Sequence, residues 1–103
     1  MGLVLLGDVL ANWNRYELDD EIYLPKGIQP TLDGGAHVFP FDPKRKRSFE
    51  GNEYLLGIEQ VCEVVEGLEA QLGRVATPGE RLRAVLHYAQ HDAFIDPRDA
   101  VDT

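Results

Sequence analysis

Glu59, Glu63, Glu66 and Glu69 occur in one run, Ile58 to Leu72, that contains no Lys or Arg. At helical spacing the first three fall within roughly 60° of one another, so three carboxylates share one ridge. Like charges at i and i+4 repel, and an ordinary solvated helix mixes signs to avoid this. The chemistry such a ridge suits is attraction of a basic surface rather than bond breaking. Glu17, Asp19, Asp20 and Glu21 form a second acidic cluster, and Asp92, Asp96, Asp99 and Asp102 mark the C-terminal segment. Glu59, Glu63, Glu66, Asp19 and Asp20 are therefore the candidate partner-binding residues. A solubilising charged face is the plain alternative.

Other reactive side chains make weaker patterns. His87 and His91 lie four apart, a spacing that lets two rings share a metal ion. No glutamate follows the first histidine as in zinc hydrolases, and only Asp92 or distant His37 offers a third ligand. Solvated or partner-facing histidines are the simpler reading, and no metal or cofactor is expected. Ser48 is the single serine and Cys62 the single cysteine. The first sits beside a basic loop and the second is expected to face the core, so neither suggests covalent catalysis. Asp33-Gly34-Gly35 lacks the lysine and helix start of a phosphate loop. No pair of carboxylates is marked as a general acid and base, and the chain is not expected to be an enzyme.

The 103 residues carry 18 acidic and 10 basic side chains, a net charge of −8. Four of the positives are packed into Lys44-Arg45-Lys46-Arg47, so the rest is more acidic still. Such a surface repels nucleic acid and anionic membrane and speeds encounter with a cationic protein. The basic run lacks interleaved aromatics in sequence, so direct nucleic-acid binding is not expected. One cysteine excludes an internal disulfide. Met1 to Leu6 lacks a basic leader, and no stretch approaches the roughly 20 apolar residues of a membrane span, so a cytoplasmic protein is expected.

The elements that must position the acids follow from periodicity. Leu5, Leu6, Val9, Leu10 and Trp13 give one face of a helix over Leu3 to Arg15. Ile22-Tyr23-Leu24 reads as a strand closed by Pro25, and Ala36 to Phe41 as a second one after the Asp-Gly-Gly turn. Asp42 to Asn52 reads as an exposed, moving loop, and Tyr54-Leu55-Leu56 as a third strand. Ile58, Val61, Cys62, Val65, Leu68 and Leu72 then face the core from the acidic helix, which Gly67 weakens. Thr77-Pro78-Gly79-Glu80 combines an N-cap threonine, a first-turn proline and a capping-box glutamate, so another helix starts there. Leu82, Val85, Leu86, Ala89 and Ala93 form its buried face, with Phe94-Ile95 beneath its end. The expectation is one α+β domain over 1–97, with two to three short antiparallel strands and two C-terminal helices covering one face, and a frayed tail over 98–103.

Three stretches, Asp20-Glu21-Ile22-Tyr23-Leu24-Pro25, Tyr54-Leu55-Leu56-Gly57-Ile58-Glu59-Gln60-Val61 and His91-Asp92-Ala93-Phe94-Ile95-Asp96, resemble a family of small bacterial immunity proteins from contact-dependent inhibition and other polymorphic toxin loci. The resemblance covers most of the chain except Gly27 to Asn52. It implies a non-catalytic inhibitor that binds a sibling's toxin domain one to one, as a monomer. Many such toxins are nucleases with cationic clefts, and an acidic protein fills such a cleft by imitating the substrate's charge, so a basic nuclease, an RNase before a DNase, is the expected partner. The resemblance supplies no functional residues, so the acidic contacts rest on charge alone. Trp13 or Tyr88 would supply aromatic anchors, although Trp13 fits the core equally well. An acidic adaptor with another basic partner is the alternative, and a metal-dependent enzyme using His87 and His91 the third reading.

Overall fold

The computed structural model describes residues 3–101. The elements run β1 (Val4–Leu5), α1 (Leu6–Ala11), a 3-10 turn (Trp13–Arg15), β2 (Glu21–Pro25), β3 (Gly35–Phe39), β4 (Ser48–Phe49), β5 (Asn52–Gly57), α2 (Ile58–Leu72), α3 (Pro78–His91) and α4 (Pro97–Ala100). The strands form one antiparallel sheet in the order β1-β3-β2-β5-β4, and the fold is α+β as expected. Two short edge strands, β1 and β4, extend the three that the sequence suggests.

Strand alternation divides the sheet into two different faces. Ile22, Leu24, Ala36 and Leu56 turn to the helices, where they join Leu6, Val9, Leu10, Ile58, Val61, Val65 and Val85 in the buried core. Tyr23 turns the other way and packs edge-on against Phe39 and Tyr54, both 5.7 Å away between ring centres. A bulge separates these duties in β5: Ile22 pairs with Leu56 but Tyr23 pairs with Tyr54, so Leu55 is the extra residue. Without it, Tyr54 and Leu56 would share one face.

The first helix is shorter than the periodicity suggests. Leu5 has extended backbone (φ −79°, ψ 135°), and Leu3, Val4 and Leu5 are exposed in or beside an edge strand rather than inside a helix. The chain narrows again to a 3-10 turn at Trp13. By contrast α2 covers its expected span, closed by Gly73 at φ 71°. The capping box at Thr77 is fully formed: Glu80 N–H donates to Thr77 Oγ1 at 3.2 Å and Thr77 N–H to Glu80 Oε1 at 2.8 Å. Glu80, 1% exposed, also receives both terminal nitrogens of Arg74 at 2.8 Å, which satisfies its charge.

The tail corrects the sequence reading as well. Asp96 caps α4 by accepting from Arg98 N–H at 2.9 Å, Ala100 is completely buried, and Arg83 Nε donates to Ala100 O at 2.8 Å. The segment after Pro97 is thus docked through residue 100 rather than frayed, while the last two residues of the expected tail, Asp102 included, lie outside the described residues. Among the described residues no helix is long and apolar enough to cross a membrane.

Candidate functional site

The acidic ridge begins where two segments meet. At the start of α2, Gly57 N–H donates to the Gln60 side chain at 3.0 Å. The next two amides turn outward: Ile58 N–H donates to Asp20 O at 2.9 Å and Glu59 N–H to Leu18 O at 3.0 Å. Free helix-start donors need acceptors, and the Glu17–Asp20 turn supplies them. Asp20 closes that turn by accepting Glu17 N–H at 3.0 Å. Asp19 and Asp20 are thereby fixed at the end of the helix that carries Glu59, Glu63 and Glu66. The positive end of the helix dipole favours acids there.

Glu59, Glu63, Glu66 and Asp19 are exposed, and Asp20 is half-buried. No Lys or Arg among the described residues pairs with any of the five. The fourth glutamate of α2 behaves differently. Glu69 accepts Arg81 Nη2 at 3.1 Å and Ala76 N–H at 2.8 Å, so it is a structural tie rather than part of an open patch. Glu21 likewise lies 3.9 Å from Arg45, and Asp96 lies 2.8 Å from Arg98. Two of the three acidic segments therefore join, while the third is partly neutralised by its own arginine.

Cys62 senses the ridge directly. It is half-buried rather than a full core residue, and its thiol donates to Glu66 Oε1 at 2.9 Å. Burial, then the Glu66 hydrogen bond, then the negative charges of Glu66, Glu63 and Glu59 push the thiol up to about 11. Val64 takes the core position that the apolar pattern gives to Cys62.

The basic run is not simply a solvated loop. The Arg45 guanidinium lies 4.8 Å from the Phe39 ring centre and 5.5 Å from that of Phe49, and Arg47 lies 4.3 Å from Tyr54. These cations cover the aromatic face of the sheet. Lys44 and Lys46 remain exposed. On the helical side, His87 and His91 stand 4.6 Å apart between ring centres. Among the described residues no three His, Cys, Asp or Glu side chains gather as a metal site.

Trp13 and Tyr88 both pack partly into the core. Phe94 presents its ring outward, 59% exposed and tilted against Tyr88 at 5.3 Å, and Phe41 is exposed as well. Sequence periodicity assigns Phe94 to the underside of α3 and so misses it. Asp92, in left-handed backbone at φ 51°, ends α3 and turns the chain before Phe94.

A protein-family model described as a domain of unknown function (DUF7716) matches residues 3–97, so the chain belongs to that family. No curated protein and no solved structure matches it.

Proposed function

We propose that this member of the DUF7716 family is a non-catalytic inhibitor that binds a cationic toxin domain, a nuclease and more specifically an RNase, through the face formed by α2 and the Glu17–Asp20 turn. The observation that carries the reading is the set of exposed carboxylates, Glu59, Glu63 and Glu66, left without internal cations while the neighbouring Glu69 is paired. Holding like charges on one ridge costs stability. A phosphate-binding cleft offers the compensating charge, and the resulting field accelerates encounter. The inhibitor acts in the cytoplasm as a monomer in a one-to-one complex, where such a toxin meets its RNA.

The test is the Glu59→Lys, Glu63→Lys, Glu66→Lys triple variant against a basic nuclease domain encoded beside the gene. Association at low salt slows by at least about tenfold and loses its salt dependence, while far-ultraviolet circular dichroism is unchanged. Unaltered association removes the ridge from the interface. A complex in which the nuclease still cleaves RNA indicates the adaptor reading instead.

A further inference from the structure

The acidic ridge of α2 ends beside a glycine. Glu59, Glu63, Gly67 and Gln71 follow one another at i+4, so beyond Glu63 the row loses its charge and Gly67 leaves a gap in the helix surface. Gly67 is neither a cap nor a positive-φ residue. A Cβ built there meets nothing within 4 Å, so no neighbour in the fold demands a glycine. In a helix interior that choice costs stability relative to alanine.

The gap opens onto a hollow of 210 Å³ between α2 and the segment joining α3 to α4. Buried Val64 and Leu68 line it together with Phe94 and Ile95, and Glu63 and Gln71 add two polar side chains to the lining. An apolar cavity of about 150 Å³ lined by such side chains holds a benzene ring. One aromatic or aliphatic side chain therefore fits. Its surroundings add a charge requirement, since Glu63 lines the hollow and Glu59 and Glu66 are exposed on the same helix, none of the three paired with an internal cation among the described residues.

We propose that the Gly67 hollow receives a single apolar side chain carried between Lys or Arg residues on the cationic partner, with the carboxylates holding the flanking charges and the hollow holding the anchor. This rests on the ridge being the docking face, and it assigns slow dissociation to a different set of atoms from those that speed association. Interfaces draw most of their affinity from a few such desolvated anchors within a polar rim.

The probes are two capped pentapeptides, Arg-Lys-Phe-Lys-Arg and Arg-Lys-Ser-Lys-Arg, followed by amide shifts of the labelled full chain. The Phe peptide binds about tenfold more tightly, with shifts at Gly67 and Phe94, because it buries an aromatic side chain that Ser cannot. In Gly67→Leu, which fills the hollow, the two peptides bind equally. Gly67→Ala narrows it, reduces the preference and raises Tm, which separates lost binding from lost folding. Equal affinities on the native chain, or a preference surviving Gly67→Leu, overturns the proposal. If the triple Lys variant binds both peptides as well as the native chain does, the ridge reading fails instead.

Discussion

Arg81 and Leu10 are joined across the helical layer: the Arg81 Nη1 donates to Leu10 O at 2.9 Å while its Nη2 reaches Glu69 at 3.1 Å. One guanidinium thus satisfies a carbonyl near the end of α1 and a carboxylate on α2 from its position on α3. Replacing Arg81 by Met takes the guanidinium from the Leu10 carbonyl and leaves Glu69 with the Ala76 N–H but no cation, at a site where the Arg81 side chain is only 14% exposed. The expected loss is on the order of 2 kcal/mol, seen as a lower urea midpoint at unchanged slope.

Three cations of the basic run, Lys44, Arg45 and Lys46, are expected to separate into two classes. Arg45 stacks over Phe39, donates to Pro40 O at 2.9 Å and lies near Glu21, so Arg45→Lys loses planar stacking and costs about 1 kcal/mol. Lys44→Ala and Lys46→Ala, at exposed positions, leave the melting temperature within about a degree of the native value. Parallel thermal scans of the three variants check this.

Cys62 is expected to react slowly with iodoacetamide until strongly alkaline pH, because thiolate is the nucleophile and the thiol sits at about 11. Glu66→Gln removes the hydrogen-bond acceptor charge and speeds alkylation at pH 8. In the unfolded chain the thiol ionises near its ordinary 9.0, so folding is favoured below that pH and loses this contribution as pH rises toward 11. A pH profile of alkylation rate in folded and urea-unfolded protein measures both limits.

Asp96 shows the opposite sign. Hydrogen bonds from the Arg98 side chain and backbone lower its carboxyl from 3.8 to about 2. The cap's contribution to α4 is present above the ordinary carboxylate range and disappears as pH falls through about 2. Asp96→Asn keeps an N-cap acceptor but loses the ion pair, whereas Asp96→Ala loses both. Faster hydrogen exchange over α4 in the Ala variant, at neutral pH, is the expected readout.

Legibility followed sequence distance. α2 and α3 could be read because an apolar period of 3.6 and the Thr77-Pro78-Glu80 cap are local signals. Asp96-Pro97 starts α4 with the same cap-and-proline grammar, but its short length hid it among tail residues. The apolar residues Leu3 to Leu5 imitated a helical face although the backbone there is extended. Partners distant in the chain were out of reach. Glu69 looks unneutralised within its own helix because Arg81 arrives from α3, and Arg47 looks solvated because Tyr54 arrives from β5. The candidate site was legible as a row of carboxylates; the Asp20 and Leu18 carbonyls that attach the second cluster to it carry no sequence signature.

The sheet's two unlike faces give the molecule two separate optical reporters. Trp13, the single tryptophan, packs against the helical core, whereas Tyr23 and Tyr54 meet on the opposite side beneath Arg45 and Arg47. Indole emission therefore follows melting of the helical layer, and tyrosine near-ultraviolet dichroism follows the other face once Tyr16 and Tyr88, which pack against the helical core, are replaced by Phe. Superimposed traces would mean that a single sheet couples both sides into one cooperative unit.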